Sequence, residues 1–287
     1  MIILDGNKVE AGKFPDGTIL MKREGSPLDF MRFGFCTPRS QIVWKFENNE
    51  EMIVLMYLVK HLNNCGIKDI SLIMPYIPNA RQDRVKSEED VFTLKYFAEF
   101  INGLGFSSVT VLDPHSYVSE ALIDNIRVQN PMYYIKNTID MINAIEPINS
   151  ENPLMAFYPD EGAMKRYSGL IDMPYAFGIK VRDWATGKIQ GLDVSGMTDI
   201  IQNSNILIID DICSKGGTFY HSAKKLKELG AKNIYLYISH CENTILQGDL
   251  LTSGLIERVF TTDSIFTKSH EKIEVMNYEV YKPYALN

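Results

Sequence analysis

Cysteine is scarce in this chain of 287 residues, and cationic excess and long apolar runs are missing. Its four cysteines, Cys36, Cys65, Cys213 and Cys241, show no metal-like spacing. They read as reduced thiols of a cytoplasmic protein. Acidic residues outnumber basic ones, 36 to 29, for a formal net charge of −7. That excludes a general nucleic-acid or anionic-membrane surface. Recognition of phosphate then depends on local basic pairs, of which Arg81/Arg84 and Lys165/Arg166 are the candidates. No stretch approaches the roughly 20 apolar residues of a membrane span. The opening Met1-Ile-Ile-Leu-Asp-Gly6 lacks the basic region and cleavage site of a signal peptide. What remains is ordinary globular composition, 45% hydrophobic and 23% charged, with length for one large or two ordinary domains.

One arrangement recurs along the chain: a helical pattern, a glycine stop, then an apolar strand. Leu62 to Gly66 precedes Ile70-Ser-Leu-Ile-Met74, Phe100 to Gly105 precedes Val109-Thr-Val-Leu112, and Leu226 to Gly230 precedes Ile234-Tyr-Leu-Tyr-Ile238. Glycine just past a helix takes the left-handed conformation that closes it. Alternation of helix and strand predicts parallel sheets. A further strand, Met155-Ala-Phe-Tyr158, ends in Pro159-Asp-Glu-Gly162, and residues 259–265 read as one more. The prolines at 131, 147 and 153 mark the passage between two α/β halves. Residues 179–194 break the pattern and fit a mobile flap or hairpin, or equally a solvated β-ribbon. The tail after Ile273 gives little signal.

The most informative stretch is Asn205-Ile-Leu-Ile-Ile-Asp-Asp-Ile-Cys-Ser-Lys-Gly-Gly-Thr-Phe219. Four aliphatic residues, 206–209, predict a buried parallel strand. Asp210 and Asp211 follow, then Ser214, Lys215, Gly216, Gly217 and Thr218 at the head of a helical pattern. In open α/β sheets ligands bind at the carboxyl ends of strands. Paired glycines let backbone N–H groups close around an anion, and a helix N-terminus adds a positive dipole. Ser214 and Thr218 can donate hydroxyls to phosphate, and Lys215 adds a point charge. Two acids would repel a bare phosphate. They suit a ligand that also carries hydroxyls or Mg²⁺, as a sugar phosphate does. Glycines kept for turn geometry alone are the competing reading.

A second loop, Pro75-Tyr-Ile-Pro-Asn-Ala-Arg-Gln-Asp-Arg84, follows a strand. Its prolines stiffen it, Arg81 offers a fork matched to phosphate, and Gln82 can both donate to and accept from a base edge. The glycine loop resembles those of type I phosphoribosyltransferases and of phosphoribosyl pyrophosphate synthetases. The Arg81-Gln82-Asp83-Arg84 loop resembles the second family alone. The resemblance spans roughly residues 13–265. It implies an α/β fold of two type I phosphoribosyltransferase-like domains, parallel sheets flanked by helices, expected here at residues 1–140 and 141–287.

The resemblance also implies a reaction and its residues. The family transfers the β,γ-pyrophosphate of ATP to the C1 hydroxyl of ribose 5-phosphate with Mg²⁺, and AMP leaves. Arg81, Gln82 and Asp83 are then expected at ATP. Lys13-Phe-Pro-Asp-Gly17 resembles the segment that stacks on adenine across a subunit boundary, which implies Phe14 and Asp16 at a neighbour's ATP and an active species of at least a dimer. Asp113-Pro-His115 resembles the motif whose histidine meets ATP-bound Mg²⁺. Tyr158-Pro-Asp-Glu-Gly162 resembles the motif whose aspartate, here Asp160, helps hold metal. Lys180-Val-Arg182 resembles the catalytic flexible loop, implying transition-state roles for Lys180 and Arg182. Asp210, Asp211 and Ser214 to Thr218 fall to the ribose phosphate. The chain departs from the pattern in Lys215, in Thr18 where glutamate is usual and in Val181. The family's first strand and helix are expected to be largely missing before Lys13, and its final helix is expected to be missing too. Lys215 admits a second acceptor, ADP-ribose, as in a phage-encoded branch that rebuilds NAD. A phosphoribosyltransferase and a non-catalytic regulatory paralogue are the remaining alternatives.

Overall fold

The computed structural model of the chain describes residues 1–21, 39–182 and 189–278. They divide into two compact units, Met1–Asn130 and Pro131–Tyr278, so the division falls ahead of the expected boundary at 140/141.

The first unit is built on a six-stranded sheet. Its strands are β1 (Ile2–Leu4), β2 (Asn7–Lys8), β5 (Arg39–Trp44), β6 (Asp69–Ile73), β7 (Ser108–Leu112) and β8 (Ile126–Gln129). They lie in the order β2-β1-β5-β6-β7-β8, parallel from β5 onward and antiparallel at the β1/β2 edge. A strand therefore does stand before Lys13: Ile2 and Leu4 alternate into the core while β1 pairs with Ile42 to Trp44. Two residues facing one side are too short a pattern to read from sequence. Helix α1 (Glu50–Asn64) buries Val54, Leu55, Leu58, Val59 and Leu62, the stripe a 3.6-residue period lays on one face. Helix α2 (Thr93–Gly103) does the same with Leu94, Phe97, Ala98 and Ile101. The short α3 (Tyr117–Leu122) links β7 to β8. A separate hairpin, β3 (Ala11–Lys13) with β4 (Ile19–Met21), carries residues 14–18 at its tip.

The second unit opens with α4 (Met132–Ile145) and holds a seven-stranded sheet in the order β11-β10-β9-β12-β13-β14-β15. The strands are β9 (Leu154–Tyr158), β10 (Tyr175–Arg182), β11 (Ile189–Gly196), β12 (Asn205–Cys213), β13 (Ile234–Cys241), β14 (Arg258–Thr262) and β15 (Ile273–Met276). All neighbours are parallel except the β10/β11 ribbon at one edge. The expected hairpin over 179–194 is this ribbon. β12 and β13 are buried along almost their whole length, which is why their sequences are near-continuous apolar runs. The tail with little signal supplies β15, an edge strand of four residues. Helices α5 (Glu161–Tyr167) and α6 (Gly217–Glu228) follow β9 and β12 directly.

Candidate active site

In the first unit the loop after β6 is pinned from below. Gln82 N–H donates to the Asn79 carbonyl at 2.9 Å, and the Gln82 carbonyl accepts from Leu94 N–H at 3.3 Å. Arg81 and Gln82 are exposed on it. Asp83 turns inward, 5% exposed. Arg84 grips its carboxylate with a fork, Nε to Oδ1 at 2.8 Å and Nη2 to Oδ2 at 3.0 Å. That bond, with smaller contributions from Ser116 and His115, holds the Asp83 carboxyl below its ordinary range against the opposing effect of burial. Asp83 thus faces inward and is paired with Arg84 of its own loop. In the β7–α3 turn Asp113 is buried with φ of 40°, and His115 is half-buried after Pro114. Arg81, Gln82, Asp83 and His115 share this end of the sheet.

Phe14 sits at the tip of the β3/β4 hairpin, 48% exposed, which leaves about half of its ring to solvent. Asp16 makes the turn: its Oδ1 accepts from Thr18 N–H at 3.0 Å and from the Thr18 hydroxyl at 2.7 Å. These two bonds, the backbone one first, lower the Asp16 pKa. Asp16 acts by shaping the tip that carries Phe14.

In the second unit β12 runs past its aliphatic core and takes Asp210 and Asp211 into the strand itself, further than the expected 206–209. Asp211 N–H donates to Asp210 Oδ1 at 3.0 Å. Burial, then the charge of Asp211, a hydrogen bond with the Asp211 side chain and the charge of Asp160, hold the Asp210 carboxyl well above its ordinary range. Asp211 is 5% exposed, and its Oδ2 lies 3.2 Å from Arg166 Nη1. Arg166 comes from α5, whose guanidinium also lies over the Tyr167 ring, 5.7 Å from its centroid. Of the pair, Asp211 faces the Arg166 cation.

Asp160 caps α5. Its Oδ1 accepts from Gly162 N–H at 3.0 Å and Ala163 N–H at 3.1 Å, satisfying two of the orphan donors of a helix start. Among the described residues no group of three or more His, Cys, Asp or Glu is arranged to hold a metal ion. The donors near Asp160 are carboxylate oxygens. They suit a hard cation that keeps most of its shell for water and phosphate, as Mg²⁺ does, and not a closed cage.

After Cys213 the chain turns through Ser214 and exposed Lys215 into Gly216, the left-handed residue (φ 82°) that caps α6 without any side-chain hydrogen bond. The helix's first N–H groups therefore meet no capping side chain, which is the arrangement that binds an anion. Gly217 and Thr218 form the exposed first turn. The loop is backed by residues the sequence does not advertise. A Cβ on Gly216 would stand 2.9 Å from Leu250 Cδ2, and one on Gly248 would stand 1.9 Å from the Lys215 carbonyl oxygen. Gly248 lies in a polar surface segment, and only its contact across the fold gives it meaning. Lys180 and Arg182 stand on β10, where Lys180 pairs with Leu192 and Arg182 with Ile189. Their side chains lie outside the described residues.

Comparison with known proteins gives the same picture. A model of the N-terminal domain of ribose phosphate pyrophosphokinase matches residues 5–105. The ribose-phosphate pyrophosphokinase of Buchnera aphidicola is 26% identical over 266 residues, covering 90% of this chain and 78% of that one. Ribose-phosphate pyrophosphokinase 2 of Enterococcus faecalis is 27% identical over 286 residues, covering 94% and 82%. Among solved structures, phosphoribosylpyrophosphate synthetase from Mycobacterium smegmatis superposes with a TM-score of 0.72 over 94% of this chain and 86% of that one. At 17% identity that likeness speaks for the fold.

Proposed function

We propose, from its likeness to ribose-phosphate pyrophosphokinases, that the chain transfers the β,γ-pyrophosphate of ATP to the C1 hydroxyl of ribose 5-phosphate, giving phosphoribosyl pyrophosphate and AMP. The observation that carries the reading is β12, which delivers an acid pair and then a glycine turn at an uncapped helix start. Sugar hydroxyls need acceptors and a 5′-phosphate needs N–H donors, and this one strand–turn–helix offers both.

In the second unit the phosphate of the acceptor binds the N–H groups of Gly217 and Thr218 with the Ser214 and Thr218 hydroxyls. Asp211, held by Arg166, and Asp210 beside it accept from the ribose hydroxyls. In the first unit Arg81 grips ATP phosphates and Gln82 meets the base. The C1 oxygen attacks the β-phosphorus in line. Its bond to phosphorus forms as the α–β bridging bond breaks, AMP departs with the bridging oxygen, and the hydroxyl proton is released. Negative charge grows on the transferred group and the bridge, and Lys180 and Arg182 stabilise it. Bound Mg²⁺ would neutralise the phosphates; His115 in the first unit and Asp160 in the second are the residues that would each offer it a donor. Phe14 completes the adenine pocket of a second copy, so the active species is at least a dimer. An active monomer in sedimentation at assay concentration overturns that point.

Incubation with ATP and ribose 5-phosphate, with and without Mg²⁺, tests the reading by the nucleotide released. AMP that requires both acceptor and Mg²⁺ is expected. ADP in its place, or AMP without acceptor, overturns it. ADP-ribose is the second acceptor to assay, since exposed Lys215 lies beside the 5′-phosphate loop, where a second phosphate would extend.

A further inference from the structure

The amide of Gln82 is not free to present either end. Its Oε1 accepts from the Thr93 hydroxyl at 2.5 Å. A hydroxyl that donates to the amide oxygen leaves the amide NH₂ as the other end of the side chain. Thr93 is the first residue of α2, and its neighbour Leu94 donates its N–H to the Gln82 carbonyl. Gln82 is thus tied twice to one helix turn, once through its backbone and once through its side chain. Thr93 is half-buried and its hydroxyl does not cap its own helix, since the cap position, Phe92, makes no side-chain bond. Gln82 itself is exposed.

We infer that Thr93 is a positioning residue that sets base selectivity: by holding Gln82 Oε1 it leaves only the Nε2 N–H groups facing outward, so the loop takes a nucleotide whose base offers a lone pair there. This rests on the reading of residues 81–84 as the ATP loop. Adenine presents an unprotonated ring N1, whereas hypoxanthine and guanine carry a proton at N1 and would set donor against donor. A glutamine free to turn would meet either edge. Thr93 removes that choice, and the substrate class it selects is an adenine nucleotide over its 6-oxo analogue.

Equilibrium binding of ATP and ITP, with the corresponding kcat/KM for AMP formation, tests this on the wild type, Thr93→Ser, Thr93→Val and Gln82→Glu. The wild type should prefer ATP, and Thr93→Ser, which keeps the hydroxyl, should hold that ratio within about twofold. Thr93→Val should lower the ATP:ITP ratio about tenfold by weakening ATP and sparing ITP, the size of one mis-set hydrogen bond. Gln82→Glu turns the exposed group into an acceptor and should shift the preference toward ITP; that exposed position supports the test even if the valine variant folds poorly. A wild type without preference, a Thr93→Val ratio equal to wild type, or equal losses of both nucleotides overturns the inference. Selective ATP binding without AMP formation would sink the proposed reaction and leave the role of Thr93 intact.

Discussion

Gly248→Ala should cripple acceptor use from outside the acceptor loop. The added Cβ would lie 1.9 Å from the Lys215 carbonyl oxygen and 2.9 Å from its carbon. Real Cβ contacts begin near 3.0 Å, so the two segments must part by roughly 1.1 Å. Both sides of the contact are backbone, and no rotamer relieves it. Forcing a methyl into packed structure costs about 1–3 kcal/mol, which for a domain of this size lowers Tm by about 2–4 °C per kcal/mol. The displaced residue sits next to Gly216, so the strain moves the N–H groups proposed to meet the 5′-phosphate. Misplacement on the ångström scale costs on the order of 10²-fold in rate. Initial rates at varied ribose 5-phosphate should therefore give a KM at least about tenfold higher, while ATP binding stays within about twofold. Leu250→Ala is the control. It removes the side chain behind Gly216 without pushing any backbone, and should lose about 2–5 kcal/mol of stability with a smaller change in acceptor KM. A folded Gly248→Ala protein with wild-type acceptor KM would refute the reasoning.

Three further outcomes are expected. Lys180→Ala should lower kcat about 10²–10³-fold while ATP affinity in a binding assay is nearly unchanged, because its charge acts on the transition state; a collapse of affinity with kcat preserved would make it a ground-state binder. Asp210 has a folded pKa raised chiefly by burial, so the stability it contributes is full at low pH and declines as pH rises above the ordinary 3.8 toward the folded value. Asp210→Asn should consequently raise Tm at pH 7 and have a much smaller effect near pH 4; thermal melts showing an equal shift at both would contradict this. Lys215→Thr should leave ribose 5-phosphate use almost untouched and weaken ADP-ribose by about 1.5–3 kcal/mol if that lysine makes a charge-assisted bond to a second phosphate; equal effects on both acceptors would remove it as a specificity determinant.

Much of this architecture can be read along the chain, because buried parallel strands announce themselves as apolar runs and helices as stripes. Residues 155–158, 206–209 and 234–238 all lie in strands of the second sheet. The strand ends are where local reading stops. Asp210 and Asp211 look like loop residues, yet pairing of Asp210 with Ile238 and of Ile212 with His240 carries β12 on through them. Tertiary hydrogen bonding outweighs the low strand preference of aspartate. Asp83 reads as a ligand-facing acid beside Arg81 and Gln82; its burial depends on Arg84, which any charged loop could have sent to solvent. Gly248, Leu250 and Thr93 escape altogether. Each matters through a partner distant in sequence, Lys215, Gly216 or Gln82, and no periodicity records that.

The ribbon that bears Lys180 and Arg182 is attached to its sheet over a short length only. β10 pairs with β9 through Tyr175, Ala176 and Phe177, whereas residues 178–182 pair only with β11. The outer part of the ribbon can therefore unzip from the domain without breaking a single bond of the β9/β12/β13 core. Hydrogen exchange should divide β10 accordingly: the amides that join it to β9 should exchange with the slow core, and those beyond should exchange faster in a sub-global opening. A strand that is half anchor and half arm would let the proposed charges of Lys180 and Arg182 sit on a separately opening element, while the proposed acceptor loop stays on one that opens only with the whole domain.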